Sequence, residues 1–393
     1  MDLKQLRDKY SIAGVGYTPQ GNVPNRTALS FHIEASVNAI KDAGLKKEDI
    51  DGLMCYRHFE PLGNDTEITP YLIAQYLGIQ PRIISQEANC ARGHLVNAIS
   101  LLDAGFCKYV LITYGDNAFS GGRTFLKEAT HGEPVDDNGV FGEFGLVANY
   151  ALAARRAMHV FDTGPETWKE IAVSQRKWAN LNPIAMMNKK LLSYEEYNNA
   201  RWLIEPFRVY DACPVSDGGR AYIVTSTERA MDLKQQPVYI MGVGEHNPSV
   251  DIHQSDFMEG PTGAKEAGKT AFTMADISVD DIDACQIYDC FTYTVEVSLQ
   301  DYGFFGPGEG RDWFKGGRTA PGGALPVNTS GGLLSEAYFM GLTPLAEGVM
   351  QLMNRCGDRQ LGPKTKTKEP EIMLCSDNGG VFQSNSTVIL RRP

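Results

Sequence analysis

The chain has 393 residues, 42% of them hydrophobic, with 48 acidic against 37 basic side chains and a formal net charge of −11 at pH 7. That length holds two or three domain-sized units or one large duplicated fold. The acidic balance, without any run of Lys and Arg, argues against a nucleic-acid partner. No apolar run reaches membrane-spanning length, so no membrane association and a cytoplasmic location are expected.

The first ten residues are charged, and Ser11-Ile12-Ala13-Gly14-Val15-Gly16 reads as a first strand and turn. Its glycines lack the spacing of G-x-G-x-x-G, which excludes dinucleotide binding. Further on, the apolar pair Ile83-Ile84 precedes Gln86-Glu87-Ala88-Asn89-Cys90-Ala91-Arg92-Gly93-His94, and a helix-like stretch runs from Leu95 to Leu102. This is strand, tight turn and helix, with the Cys90 thiol at the helix entrance. Unpaired N–H groups and the positive end of the helix dipole favour a thiolate there, and a thiolate attacks carbonyls. The alternative is a small buried thiol filling a turn.

Val110 to Asn117 is an apolar run fit for a buried strand. The segment from Ala118 to about Ser226 is too long to lack structure of its own. It carries a helix around Phe144–Val160 and a polar stretch with Trp168 and Trp178, and reads as an insertion that covers a site. Gly306 to Gly323, rich in glycine and proline, reads as an ordered surface loop. The eight cysteines, at 55, 90, 107, 213, 285, 290, 356 and 375, form no Cys-x-x-Cys pair. Reduced thiols are expected, with no zinc site made by this chain alone.

The chain repeats itself. Ala43-Gly44-Leu45 with Asp49-Ile50-Asp51 returns 232 residues later as Ala275-Asp276-Ile277 with Asp281-Ile282-Asp283, and Tyr56 returns as Tyr288. Ile12 to Gly16 echoes Ile240 to Gly244, and Val110 to Asn117 echoes Glu371 to Asn378. Two halves follow, near 1–233 (with the insertion at about 118–226) and 234–393. Alternating strands and helices argue for an α/β fold of mostly parallel sheets covered by helices.

Duplication, a Cys at a strand-to-helix turn and three motifs in the second half together resemble the thiolase superfamily over nearly the whole chain. The motifs are Ile287-Tyr288-Asp289-Cys290-Phe291-Thr292, Asn328-Thr329-Ser330-Gly331-Gly332 running to Tyr338, and Ser376-Asp377-Asn378-Gly379-Gly380. The resemblance implies the five-layered α/β/α/β/α thiolase fold with two mixed, mostly parallel sheets, and a homodimer core. Each motif also departs from the family. Tyr288 stands where a His or Asn is usual, and Tyr338 where the His of Gly-His-Pro is usual. The second catalytic Cys falls on Cys375 or Ser376, depending on alignment. These departures resemble a subgroup near the sterol-carrier-protein-type thiolases, whose members cleave carbon–carbon bonds of bulky acyl-CoA compounds. They work with a small DUF35-type subunit carrying a zinc ribbon and an OB-fold, so any zinc is expected in that subunit and a heterotetramer is implied. The two known activities are the retro-aldol step of steroid side-chain breakdown and the thiolytic cleavage of benzoylsuccinyl-CoA.

What the resemblance implies for single residues is as follows. Cys90 is the nucleophile towards a bulky 3-oxoacyl-CoA, coenzyme A is the cosubstrate, and no cofactor is bound covalently. Tyr288 and Tyr338 face Cys90 and donate hydrogen bonds to a developing oxyanion, or take a proton from a 3-hydroxyl; the alternative is an aromatic pair in the core. Cys375 or Ser376 is the acid that completes thiolysis. Gly379 and Gly380, with Asn328, suit an oxyanion turn or simply a tight turn. Arg92 lowers the thiol pKa or grips a substrate carboxylate, or else pairs with Glu87 or Asp289. His94 and Asp289 are candidates for contacting substrate, against a packed helix histidine and a carboxylate bonded to backbone. The expected function is an acyltransferase of the thiolase type; the alternative is a retro-aldolase on a 3-hydroxyacyl-CoA using the two tyrosines, and a further alternative is a non-catalytic scaffold.

Overall fold

The structure of the protein, a computed structural model, describes residues 3–56, 68–87, 93–122, 145–248 and 262–393. The first half runs β1 (Tyr10–Tyr17), α1 (Ala28–Ala43), β2 (Gly52–Tyr56), α2 (Pro70–Leu77), β3 (Ile83–Glu87), α3 (Gly93–Asp103) and β4 (Tyr109–Asn117). An intervening segment holds α4 (Gly145–Phe161), α5 (Pro165–Asn180), α6 (Tyr194–Asn199) and the hairpin β5 (Trp202–Ile204) with β6 (Phe207–Arg208). Then come β7 (Asp217–Ser226), α7 (Thr227–Ala230), β8 (Val238–His246), α8 (Gly263–Ala275) and β9 (Ala284–Gln286). The chain finishes with α9 (Thr292–Tyr302), α10 (Gly310–Trp313), α11 (Gly332–Ser335), α12 (Leu342–Leu352), β10 (Ile372–Gly379) and β11 (Ser384–Arg391).

Nine strands lie in the order β3-β2-β4-β7-β1-β8-β11-β10-β9. Within the first half β2, β3 and β4 pair in parallel, and β7 runs against both β4 and β1. Four of those five strands therefore point one way, and antiparallel pairing arises wherever β7 is a neighbour. The second half repeats this: β9 and β10 are parallel, and β11 runs against β10 and β8. Just two residue pairs, Ser11 with Tyr239 and Ile12 with Val238, join the halves. Hydrogen bonding thus makes one continuous sheet of the two that the sequence implied.

Period-two alternation sorts the layers. Met54, Ile112 and Tyr222 of the first half share one core with Met373, Val388 and Ile240 of the second, and α3 and α12 fill the space between them. Leu53, Leu111 and Ile223 point the other way, onto α1 and α2, while Leu374, Ile389 and Met241 point onto α8 and α9. The result is helix, sheet, helix, sheet, helix: the five-layered α/β architecture expected.

The repeated residues have repeated tasks. Asp49 and Asp281 accept from the backbone N–H of Lys46 and Ser278, both at 2.8 Å, closing equivalent turns. Asp51 accepts from the Lys108 and Tyr109 N–H groups, and Asp283 from those of Glu371 and Ile372, so Asp51 ties the start of β4 and Asp283 the start of β10. Gly44 and Asp276 both take the left-handed conformation that ends α1 and α8. At Gly16 and Gly244 a Cβ would collide with the carbonyl oxygens of Ala35 and Ala267. These glycines let an alanine-faced helix lie directly on the strand.

The segment from 306 to 323 is more than a surface loop: it contains α10, and Phe314 is wholly buried against Trp313 and Phe305. Among the described residues no helix is long and apolar enough to cross a membrane.

Candidate active site

The strand and helix expected around Cys90 are present as β3 and α3. Cys90 and Arg92 themselves lie outside the described residues. The site is therefore built from the second half and the segment that covers it.

β9 ends at Gln286, and the next residues form a loop whose shape is set by side chains. Asn328 accepts from the Ile287 N–H at 2.6 Å and donates to the Ile287 carbonyl at 2.9 Å. Its amide is spent on backbone and on the Asp289 carboxylate, and its own positive φ of 54° holds the turn. Asp289, fully buried, accepts from the N–H groups of Leu333 and Leu334 at 2.8 and 3.1 Å. Burial outweighs those bonds and raises its carboxyl to about 7. Between these anchors the Tyr288 N–H donates to Ser376 Oγ at 3.1 Å.

The two predicted tyrosines meet. Tyr288 Oη and Tyr338 Oη are 2.8 Å apart, with ring centroids at 6.3 Å and planes at 75°. Ser216, at the entrance to β7, holds Tyr338 by both ends of its peptide: its Oγ accepts from the Tyr338 N–H at 2.8 Å and donates to the Tyr338 carbonyl at 3.1 Å. Around the pair stands an aromatic wall: Phe207 stacks on Phe291, which packs against Tyr150. Phe382 meets Tyr150 edge-on from the other side. Desolvation by this wall raises both phenols above their ordinary value, so both are neutral at physiological pH.

Strand β10 sends its alternate residues to opposite sides. Cys375 joins the central core, where its Sγ lies close against Gly348 of α12. Ser376 faces the Tyr288 loop. Gly379 closes the strand opposite Ser384, and Gly380 (φ 55°) begins a left-handed turn through Val381 and Phe382. His94 is fully buried. Its Nε2 lies 3.0 Å from the Cys55 carbonyl, its ring meets Tyr56 edge-on, and burial lowers its pKa to about 4.

Three residues that sequence reasoning left unassigned belong to the cluster. Tyr150, on α4, reaches Asn378 Oδ1 with its hydroxyl at 2.8 Å. Cys213 donates its N–H to the Cys290 carbonyl at 2.9 Å. Burial pushes the Cys290 thiol up to about 12 and Cys213 well above its usual value, so neither is a ready nucleophile. Cys290 sat inside a motif already noted and Cys213 entered only in the count of cysteines, whereas Tyr150 carried no signal beyond lying in the covering segment. Among the described residues no group of His, Cys, Asp and Glu is placed to hold a metal ion.

The five-layered duplicated fold is that of the thiolases, and the buried pair of phenols in contact marks the candidate site within it. Residues 244–392 match the family described as Thiolase C-terminal domain-like. The chain is 33% identical over 357 residues to a steroid side-chain-cleaving aldolase of Thermomonospora curvata, covering 86% of this chain and 89% of that protein. It is 25% identical over 406 residues to the benzoylsuccinyl-CoA thiolase subunit BbsB of Thauera aromatica, covering 98% of each. The solved structure of an Ltp2-ChsH2(DUF35) aldolase superposes with a TM-score of 0.85 at 28% identity, over 98% of each chain. The chain belongs to the thiolase superfamily, in the subgroup that contains the DUF35-partnered steroid side-chain aldolases.

Proposed function

We propose that the protein is a retro-aldolase that splits a bulky 3-hydroxyacyl-CoA into a ketone or aldehyde and a shorter acyl-CoA. The observation that carries this is the 2.8 Å contact between the Tyr288 and Tyr338 hydroxyls in desolvated surroundings. The names of the aldolase relatives support it.

Cleavage moves one proton from the 3-hydroxyl to C2 while the C2–C3 electron pair passes into the thioester. A lone buried tyrosine is a poor base, since its phenolate is disfavoured. Two phenols in contact avoid a standing phenolate. One takes the substrate proton as its own moves on through its neighbour, and the relay returns a proton to the C2 enolate. Ser216, Asn328 and Asp289 fix the backbone of the two tyrosine loops, and Ser376 is better placed than Cys375 to act in that chemistry. A DUF35-type subunit is proposed as the partner, on the likeness to the solved Ltp2-ChsH2(DUF35) aldolase; a zinc ribbon in that subunit and a homodimer core belong to the same proposal.

A second reading is thiolysis of a 3-oxoacyl-CoA, with Cys90 forming an acyl-enzyme that coenzyme A resolves. The likeness to a benzoylsuccinyl-CoA thiolase subunit and the retained Cys90 favour it. Both are tested on the chain co-expressed with a DUF35-type subunit, using a branched 3-hydroxyacyl-CoA and its 3-oxo counterpart. Carbonyl product formed without free coenzyme A, and by Cys90→Ala as well, is expected. Turnover of the 3-oxo compound alone, dependent on coenzyme A and lost in Cys90→Ala, would replace the first reading with the second.

A further inference from the structure

We propose that Asn378 supplies an oxyanion donor of this site, its Nδ2 hydrogen-bonding the thioester oxygen as charge collects there, and that Tyr150 is the positioning residue that orients it. The inference rests on the reading that the site forms an acyl-CoA enolate; it adds which group receives the charge.

Asn378 is 2% exposed. Its Oδ1 accepts from Tyr150 Oη at 2.8 Å, whereas its Nδ2 has no hydrogen-bond partner among the described residues. Buried amide donors are rarely left unpaired, and an exception calls for a ligand or a water. Side chains two apart on a strand share a face. Ser376, two residues earlier on β10, accepts from the Tyr288 N–H, so Asn378 projects on the side of the tyrosine loop. Tyr150 is also in electrostatic reach of Cys290 and Tyr338, and Tyr288 is in reach of Tyr150. The unspent donor therefore lies beside the proton relay.

The end of β10 is held stiffly. Val381 and Phe382 both adopt φ values of the left-handed region, 51° and 65°, which a β-branched residue rarely takes. The Phe382 ring packs against Tyr150 at 5.4 Å between centroids. Tyr150 thus spans from the covering segment to the strand, and its hydroxyl decides which end of the Asn378 amide is left free of it. A donor fixed before the reaction begins needs no reorganisation when the enolate forms.

The test follows two reactions of the chain with its partner subunit: cleavage of the 3-hydroxyacyl-CoA, and exchange of the C2 proton of a simple saturated acyl-CoA in D2O, read by mass spectrometry. Asn378→Asp keeps the shape and an acceptor but removes the donor; Asn378→Ala removes both. Each is expected to lower kcat and the exchange rate by about 10²–10³-fold with KM little changed. Tyr150→Phe is expected to lower both rates about tenfold, and Asn378→Ala is expected to cost less in the Tyr150→Phe background than in wild type, because the pair acts as a unit. Unchanged thermal melting shows that the fold survives. Should a substitution at Asn378 unfold the protein, Tyr150→Phe decides by the same two rates. Wild-type rates in the variants, alongside loss of both reactions in Tyr338→Phe, overturn this proposal and leave the retro-aldol reading standing. A wild-type protein that neither cleaves nor exchanges overturns both.

Discussion

Tyr56 and Tyr288 stand at the same place in the two halves, Tyr56 closing β2 and Tyr288 following the end of β9, and they do different things. The Tyr56 ring lies edge-on to His94 and Tyr114 in the central core. The Tyr288 ring ends at another phenol beside a wall of aromatic side chains. The backbone frames agree down to the paired aspartates and the glycine contacts. What differs is the cover: α4, α5 and the β5–β6 hairpin pack with the second half's outer cluster, including Tyr150, Trp168 and Phe207. A duplicated fold supplies two equivalent positions, and the surroundings decide which becomes chemical.

The largest expected effect separates the two tyrosines directly. Tyr288→Phe and Tyr338→Phe each remove one hydroxyl and almost no volume, and should lower kcat by roughly 10²–10³-fold, about 3–4 kcal/mol in the transition state. Tyr56→Phe keeps its ring contacts and should leave kcat near wild type. Steady-state kinetics on the 3-hydroxyacyl-CoA measures all three, and an equal loss at Tyr56 would mean that both halves contribute chemistry.

The next effect should be common to both halves. Gly16→Val and Gly244→Val each force a side chain into a helix carbonyl, an overpacking that costs about 1–3 kcal/mol or more. Urea unfolding should show similar losses for the two. A loss at only one would mean that the halves unfold separately.

Asp51→Ala and Asp283→Ala each remove a carboxylate that accepts two or more backbone N–H bonds. Hydrogen bonds to charged groups contribute about 1.5–3 kcal/mol. Asp283 also pairs with Lys368 at 2.6 Å across an exposed surface, which adds little. The two midpoints should therefore fall by comparable amounts.

The smallest effect is a pH slope of opposite sign in the two halves. In the second half burial raises Glu296 and Asp301 to about 7, as it does Asp289. Unfolded carboxyls titrate near about 4. Between those values the folded state holds more protons than the unfolded, so stability falls as pH rises through that window. His94 in the first half is lowered to about 4 from its ordinary 6.5, so stability there falls as pH drops from 6.5 towards 4. Glu296→Gln should flatten the decline in melting temperature above pH 5, and His94→Gln the decline below pH 6. A Glu296→Gln variant with the wild-type slope would place the titration elsewhere.

Much of the frame was legible because it is local or repeated. The strand at Ser11–Gly16, the helix after Phe144 and the strand at Val110–Asn117 follow from apolar patterning. The repeat exposed its own logic through residues such as Asp51 and Asp283, which recur 232 residues apart and each bind the backbone at the start of a neighbouring strand. The α10 helix and buried Phe314 inside 306–323 were missed, because glycine and proline dominate local propensity while burial of Trp313 and Phe314 against Phe305 is a tertiary matter. The tyrosine pair was legible only through family likeness, since 50 residues separate its members.

The sequence by itself determined the duplication, several of the strands and helices, the family, and the tyrosines that stand where the family has other residues. These depend on periodicity and on residues near one another in the chain. Only the tertiary structure decided that Cys375 faces the core while Ser376 and Asn378 face the tyrosines, since alternation names two faces without saying which is buried. It alone brought Tyr150 to Asn378 across 228 residues and turned the Gly14 and Gly16 region into a helix seat. Contacts of that kind arise when separate elements pack, and no local pattern encodes which surfaces will meet.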